Sequence, residues 1–165
     1  MLQHINRLIN MGEAIKKWLK LKKELTRREE TVLNISIAAH LIEGNVEKMC
    51  TKYGITGGQY NVLRILKGIH PGGHPRCEII SRMIERAPDI TRLIDRLVKM
   101  KLAERVRSKD DRRLSVTRIT AKGMKLINSM QPDIEKKIKS FTVNITDEEC
   151  EELSVLTEKL YAHLI

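Results

Sequence analysis

Apolar residues recur at steps of three and four along most of the chain, which is the spacing of one face of an α-helix. The clearest run predicts a long helix with a narrow apolar seam, formed by Val32, Ile35, Ala39, Ile42, Val46 and Met49. Gly54 is expected to end this region. Thr56 is placed to cap a second helix, which should end before the glycine- and proline-rich loop at 68–73. A short third helix is predicted over about 78–84.

The next segment has the most distinct apolar and polar faces, and it predicts a fourth helix over about 88–100 with Pro88 in its first turn. Apolar residues at i, i+3, i+4 and i+7 form its buried face: Ile90, Leu93, Ile94 and Leu97. The opposite face collects polar and charged residues: Thr91, Arg92, Asp95, Arg96 and Lys99. This helix is therefore expected to pack on a core by one side and to present a mostly cationic side to a partner.

Two short strands, at about 103–107 and 115–120, are predicted on either side of the charged segment 108–113. Because the connections are short, the third helix, the fourth helix and this hairpin should stay adjacent in space. Their order is typical of a winged helix-turn-helix. We predict a mainly α fold with a small β-hairpin wing (α+β), in which a winged helix-turn-helix is flanked by helices.

The flanking segments are helical as well. Apolar residues continue at helical spacing from Met124 to Phe141, and Pro132 within this stretch is expected to kink or interrupt the helix. Thr146 and Glu149 form a predicted capping box for a final helix, and the first segment has a helical stripe that Gly12 weakens. The chain is thus divided into an N-terminal extension at 1–28, a long helix at 29–54, a winged helix-turn-helix domain at 55–120 and C-terminal helices at 121–165.

The distribution of charge narrows the choice of partner. The 165 residues carry a net charge of +10, and such an excess suits nucleic acid or an anionic membrane surface. Residues 76–113 hold twelve basic and seven acidic side chains, so the largest surplus lies on the fourth helix and the hairpin. Neither a membrane-spanning apolar run nor the apolar core of a signal peptide is visible. We expect a cytoplasmic protein that binds double-stranded DNA and no membrane.

Several short stretches of sequence strengthen the expectation that the chain binds DNA. They are Ile90-Thr91-Arg92, Leu97-Val98, Leu102, Asp111-Arg112-Arg113, Thr120 with Gly123, and upstream the stretch 55–60. In these positions the chain resembles the MarR family of winged-helix transcriptional regulators, over roughly residues 30–165. Asp89 departs from the family pattern, which usually has alanine or a small polar residue there.

The resemblance implies an obligate homodimer, held together by the long helix and the C-terminal helices. It also implies binding to a pseudo-palindromic operator, usually as a repressor. Many members release DNA when a small phenolic compound binds, and others respond to oxidation of a cysteine. No cofactor is expected. No set of residues in the chain suggests an enzyme, because neither a paired nucleophile and base nor a phosphate-binding glycine loop can be assembled.

Candidate DNA contacts fall on the fourth helix and on the hairpin. Thr91, Arg92 and Arg96 are expected to enter the major groove, where arginine binds guanine O6 and N7 and threonine contacts the thymine methyl group. Asp95 is expected to pair with a neighbouring arginine instead. By the family resemblance, Arg113 would enter the minor groove, Asp111 would orient it, and Lys109 and Arg112 would contact phosphate.

Other residues have weaker functional interpretations. His40, Tyr60 and Arg64 are candidate contacts for a small ligand, although ordinary interior or surface positions explain them equally well. The string His70, His74 and Cys77 lacks a fourth ligand, so no metal is expected, and Cys77 is expected to pack as a small apolar residue. Cys50 would sense oxidants only if exposed.

Two alternatives stay open: a cysteine-based redox regulator, and a protein-interaction module that has lost DNA binding, for which Asp89 is the support.

Overall fold

The computed structural model of the chain describes residues 12–84, 89–107 and 115–165. Within these ranges seven α-helices, two strands and a terminal 3₁₀ turn follow in chain order: α1 (Glu13–Leu19), α2 (Arg27–Lys52), α3 (Gly57–Gly68), α4 (Arg76–Ser81), α5 (Ile90–Lys99), β1 (Ala103–Arg107), β2 (Ser115–Ile119), α6 (Ala121–Phe141), α7 (Asp147–Tyr161) and the turn Ala162–Leu164. The predicted class, mainly helical with a small hairpin, is confirmed. No helix within the described ranges has the length and apolar character needed to cross a membrane.

The chain divides into two compact units, the first ending at Asn45 and the second beginning at Val46. In the first unit, α1 is shorter than the helical stripe in the sequence suggests. Gly12 lies just before it with a φ of 93°, and Lys20 ends it in the left-handed region. Gly12 therefore begins the helix instead of weakening its interior, because glycine adopts positive φ without a steric penalty.

The second unit contains the hydrophobic core. Its fully buried side chains come from the end of α2, from α3, α4, α5 and from α6: Cys50, Val62, Leu63, Leu66, Ile79, Leu97 and Met130. Helix α3 packs on α5, α6 and β2, and α4 packs on α3 and α5. The core therefore fixes the two helices of the helix-turn-helix against the base of the hairpin.

Strands β1 and β2 pair in antiparallel register, with Ala103 opposite Ile119 and Arg107 opposite Ser115. The other edge of β2 is used as well. His74, in the loop before α4, exchanges two backbone hydrogen bonds with Thr117, at 3.0 and 2.9 Å. This loop is thus attached directly to the wing, a contact that no local pattern in the sequence indicated.

Local capping explains where the helices begin. Thr56 caps α3 as predicted, and Gln59 completes a capping box with it. The predicted capping box of Thr146 and Glu149 is also present at the start of α7.

Helix α4 spans Arg76–Ser81 instead of 78–84. Helix α5 begins at Ile90, two residues later than predicted, and Pro88 lies outside the described residues.

Pro132 was expected to kink or interrupt the helix. The interruption is wrong, because α6 continues from Ala121 to Phe141 with Pro132 inside it, and the kink stays a prediction. Proline removes one backbone donor, whose acceptor would be four residues earlier. Pro132 is itself exposed, whereas Ile127 and Met130 are buried against the core. Packing of this buried face holds the helix together across the missing hydrogen bond.

Candidate nucleic-acid interface

Helix α5 presents the two faces that its sequence predicts. Ile90, Ile94 and Leu97 are buried, and three residues on the other side are exposed: Thr91, Arg92 and Arg96. The buried face fixes the rotation of the helix about its axis. The exposed hydroxyl and guanidinium groups are therefore held on one rigid surface, and such side chains can bind the edges of bases in a major groove.

Asp89 caps the N-terminus of α5. One carboxylate oxygen accepts a hydrogen bond from the backbone N–H of Arg92 at 3.2 Å, and the other lies 3.3 Å from the guanidinium of the same residue. A carboxylate at this position also interacts favourably with the helix dipole. The acid that departs from the family pattern thus starts the helix and orients Arg92.

The structure adds Arg76 to the candidate interface. Arg76 is the first residue of α4, and its Nη1 donates a hydrogen bond to the Thr91 hydroxyl at 3.2 Å. Both side chains are exposed. Sequence reasoning missed this residue. The sequence did contain a signal for it. The first helix of a helix-turn-helix crosses the DNA backbone, so a basic residue at its start is a candidate phosphate contact.

An ion pair joins the recognition helix α5 to the wing. Arg105 on β1 donates from Nη2 to Asp95 Oδ1 at 2.6 Å, which confirms that Asp95 pairs with a neighbouring arginine. Across the hairpin, Arg118 donates to Glu104 at 2.7 Å. Both pairs are partly exposed, so each adds little to stability. Their effect is geometric: the Asp95–Arg105 pair restricts the position of β1 relative to α5, and the Arg118–Glu104 pair joins the two strands of the hairpin.

The tip of the wing falls between β1 and β2 in the sequence. Its four candidate residues, Lys109, Asp111, Arg112 and Arg113, lie outside the described residues. The strands that flank them are described, and their antiparallel pairing shows that the hairpin itself is formed.

The candidate ligand contacts are distributed over two helices. Tyr60 and Arg64 lie one turn apart on α3; Tyr60 is half-buried and Arg64 is exposed. Burial raises the pKa of the Tyr60 phenol above its usual value, while the nearby Arg64 charge opposes that shift. His40 is exposed on α2, in the first unit.

A cavity of about 430 Å³ lies beside Arg64 in the second unit. It is lined by Arg64, Ile65, Gly68, Ile69, His74 and Arg82. Sequence reasoning placed Arg64 with Tyr60 but did not place His74 or Arg82 beside it. These two come from a loop and from the end of α4, so only the packing of α3 and α4 brings them together.

Cys77 differs from its predicted environment, and Cys50 does not meet the condition set for an oxidant sensor. Cys77 is exposed near the start of α4, so the expectation that it packs as an apolar residue is wrong: the buried side of this short helix is taken by Ile79. Cys50 is fully buried in the last turn of α2, and burial raises the pKa of its thiol to about 11. Among the described residues, no three His, Cys, Asp or Glu side chains form a cluster that could hold a metal ion.

The sequence is similar to those of known transcriptional regulators. The sequence model of the transcriptional regulators SarA and Rot matches residues 45–130, which include α3, α4, α5 and the hairpin. The chain is 30% identical over 117 residues to the HTH-type transcriptional regulator MhqR of Bacillus subtilis (strain 168), a match that covers 71% of this chain and 79% of MhqR.

Solved structures share the fold. The Staphylococcus aureus MepR–DNA complex superposes with a TM-score of 0.71 at 18% identity, over 85% of this chain and 99% of that one. The organohalide-sensing transcriptional regulator RdhR, solved in its 2,4-dichlorophenol-bound form, gives a TM-score of 0.72 at 19% identity, over 84% and 82%. At these identities the likeness shows a common winged-helix architecture.

Proposed function

The chain belongs to the SarA/Rot family of transcriptional regulators, which are winged-helix proteins of the MarR type, and from this premise we propose that it is a homodimeric, ligand-responsive repressor that binds a pseudo-palindromic operator. The family consists of DNA-binding regulators and not of enzymes. The observation that carries the proposal is the exposed face of α5, where Asp89 orients Arg92 and Arg76 contacts Thr91. A regulator that binds chromosomal DNA must share its compartment, so we place the protein in the cytoplasm.

In this proposal α5 reads bases and the wing supplies a second contact. Arg92 and Arg96 bind guanine in the major groove, and Thr91 contacts a thymine methyl group. Arg113 enters the adjacent minor groove with Asp111 orienting it, while Lys109 and Arg112 contact phosphate. The Asp95–Arg105 ion pair supports a fixed distance between the two contacts. Arg76 adds a cation on the same side as Thr91.

A second copy of the chain is the partner that we propose for the C-terminal helices. Three leucines at i, i+3 and i+7 of α7 are about half exposed: Leu153, Leu156 and Leu160. Such a stripe is unfavourable in water and suits a symmetric interface. We assign the C-terminal helices at 121–165 to dimerisation, together with the long helix at 29–54 by family resemblance. The extension at 1–28 would be an added helix on the dimer.

Loss of DNA contacts tests the proposed interface. Arg92→Ala and Arg113→Ala are each expected to weaken operator binding by about 1–3 kcal/mol, which is roughly 5- to 150-fold, because each removes a groove contact. The measurement is fluorescence anisotropy at fixed salt, with a duplex that the wild-type protein selects from a random library. Lys125→Ala removes a charge from an exposed site on α6 and is expected to have little effect. Unchanged affinity in both arginine variants would refute the proposed contacts.

We further propose that a small ligand lowers the affinity for DNA. The dichlorophenol-bound form of RdhR supports a phenolic or related compound as the effector class. Tyr60 and Arg64 are the candidate contacts on α3, and His40 is a separate candidate on α2. Arg64 donates a hydrogen bond to Asn61 at 3.2 Å, which leaves other N–H groups of its guanidinium for a ligand.

The two alternative functions have less support. Asp89, the residue that favoured a protein-interaction module, has a structural explanation as the cap of α5. For a redox regulator, Cys50 is an unsuitable sensor, since its thiol is inaccessible and a raised pKa lowers the thiolate fraction that reacts with oxidants.

Cysteine alkylation tests this conclusion directly. We expect iodoacetamide at pH 8 to label Cys77 within minutes in the native protein and to leave Cys50 unmodified. At this pH, a thiol with a pKa of about 11 is ionised in roughly one molecule in a thousand, and burial blocks access as well. Peptide mass spectrometry after quenching measures both sites, and labelling in urea provides the control. Equal rates at Cys50 and Cys77 would restore Cys50 as a candidate redox sensor.

A further inference from the structure

Asp89 lies on the same side of α5 as two of the proposed base contacts. Asp89, Arg92 and Arg96 follow the i, i+3, i+7 spacing of one helix face, and all three side chains are exposed. Asp89 comes directly before the first residue of the helix. In a helix-turn-helix, the N-terminal residues of the recognition helix contact the edges of bases in the major groove. The Asp89 carboxylate is therefore held where a base would meet it.

The cap uses only part of the hydrogen-bonding capacity of this carboxylate. Oδ1 accepts the backbone N–H of Arg92 at 3.2 Å, and Oδ2 lies 3.3 Å from Nη1 of the same residue. The two oxygens of a carboxylate offer about four acceptor sites. The Asp89 side chain is also 53% exposed, so a donor from outside the protein can reach the sites that the cap leaves open.

The distance between the two charged groups matches one step of a DNA duplex. Oδ2 of Asp89 and Nη1 of Arg92 are 3.3 Å apart, and stacked bases are about 3.4 Å apart along each strand. When Arg92 donates to a guanine, the carboxylate therefore lies beside the neighbouring base pair. In the major groove only cytosine N4 and adenine N6 can donate to a carboxylate. Adenine also presents its N7 acceptor beside N6, which repels a carboxylate, whereas cytosine presents its amino donor alone.

We infer that Asp89 is a specificity-determining residue, whose carboxylate accepts a hydrogen bond from N4 of a cytosine in the base pair next to the guanine that Arg92 binds. The inference rests on the proposed function, because it requires α5 to lie in the major groove. It goes beyond the cap, which serine or asparagine would provide equally well. Asp95, the acid within α5, is different because its carboxylate is bonded to Arg105 on β1.

An acid at this position acts mainly by weakening the binding of other sequences. Attraction between basic side chains and phosphates supplies the part of the affinity that does not depend on sequence, and a carboxylate beside Arg92 reduces that attraction. A cytosine N4 donor offsets the loss. A guanine or a thymine in its place presents acceptors to the carboxylate, which adds repulsion. Asp89 therefore trades affinity for discrimination between sequences.

The first experiment compares base preferences in the full-length protein. The wild type and the variants Asp89→Ser, Asp89→Asn, Arg92→Ala and Glu13→Gln each select duplexes from a random library at one ionic strength. We expect the wild type to select a guanine with a cytosine in the adjoining pair, and Arg92→Ala to lose the guanine. Asp89→Ser should keep the guanine and lose the cytosine preference, and Asp89→Asn should shift that preference toward adenine, which asparagine binds through N6 and N7. Glu13→Gln removes an exposed acid from α1 and should select as the wild type does.

The second experiment measures affinities by fluorescence anisotropy on the selected duplex and on versions in which that C·G pair is changed to T·A or G·C. Each change is expected to weaken wild-type binding about fivefold or more and to have little effect on Asp89→Ser. Asp89→Ser should also bind an unrelated duplex about twofold or more tightly than the wild type, because a like charge near the phosphates is gone. Its urea midpoint should stay close to that of the wild type, because serine keeps the cap.

Three results would overturn the inference. If both Asp89 variants keep the cytosine preference, Asp89 is a cap alone. If they lose the guanine preference instead, Asp89 acts only by holding Arg92. If the wild type tolerates every base in the pair beside the guanine, no cytosine is recognised, whatever the stability of the variants. A wild type that selects a guanine without the neighbouring cytosine leaves the proposed function standing, whereas a wild type that selects no sequence refutes the proposed function and the inference with it.

Discussion

Replacing Gly123 by alanine is expected to destabilise the folded chain by about 3 kcal/mol, at the upper end of the usual cost of overpacking a core. Gly123 is buried in the first turn of α6. A Cβ at this position would overlap the carbonyl oxygen of Leu102 and lie 2.8 Å from Cγ1 of Ile119. Both neighbours belong to the core at the base of the hairpin, and a backbone oxygen cannot rotate away as a flexible side chain can.

The surrounding hydrogen bonds explain why the backbone has little freedom to move. The Leu102 carbonyl accepts the Thr120 amide at 3.1 Å, and the Thr120 hydroxyl caps α6 by accepting the Gly123 amide at 3.1 Å. Relief of the clash would therefore stretch the connection between α5, the hairpin and α6. We expect operator binding to fall together with stability, because these contacts position the wing.

Urea denaturation at fixed protein concentration measures this effect, since a dimer's stability depends on concentration. Gly68→Ala is the matched control. Gly68 is the last residue of α3, outside the segments assigned to dimerisation, and an added Cβ there would have no heavy atom within 4 Å, so its urea midpoint should stay close to that of the wild type. A Gly123→Ala midpoint equal to that of the wild type would show that the close approach to Leu102 is not structurally required.

The substitution Leu156→Glu is expected to abolish dimerisation and to reduce operator affinity by about 100-fold or more. Leu156 is 59% exposed at the centre of the leucine stripe on α7. In the proposed dimer this leucine would be buried in both subunits. Burial of one leucine contributes about 1.5–3 kcal/mol. Separated subunits lose the linkage between half-sites that strengthens DNA binding.

Sedimentation equilibrium gives the mass in solution, and anisotropy with the selected duplex gives the affinity. Ser154→Glu introduces the same charge on another side of α7 and should remain dimeric with wild-type DNA binding. A dimeric Leu156→Glu protein would contradict the assignment of this stripe to the interface. A wild-type protein that sediments as a monomer would contradict the proposed dimer as a whole.

Several features of the interface could be predicted because their causes are local. The buried face of α5 follows from apolar residues one turn apart, and the caps at Thr56 and Thr146 follow from residues three positions apart. The hairpin follows from two short strands on either side of a charged segment. Each of these signals acts between residues a few positions apart, so it can be recognised without knowing how the rest of the chain folds.

Other features depended on packing and could not be predicted in this way. Proline at position 132 was expected to kink or interrupt a helix, yet packing of its buried face keeps α6 uninterrupted. Asp89 was interpreted as support for a module that has lost DNA binding, whereas it caps α5, a role that depends on where α5 begins. Cys77 was expected inside, but a helix of six residues has too little buried surface to cover it.

The sequence alone determined the excess of positive charge, the helical periodicity and the pattern of a short hairpin; the residues shared with the MarR family then indicated a winged helix-turn-helix that binds DNA. Tertiary structure decided how distant segments meet. It paired Asp95 with Arg105, attached His74 to the wing through Thr117, and placed Arg64 and Arg82 on one cavity. The physical reason is the range of the interactions: helix and turn signals act between residues within one turn, whereas ion pairs, β-bridges and cavities depend on the packing of elements that are separated along the chain.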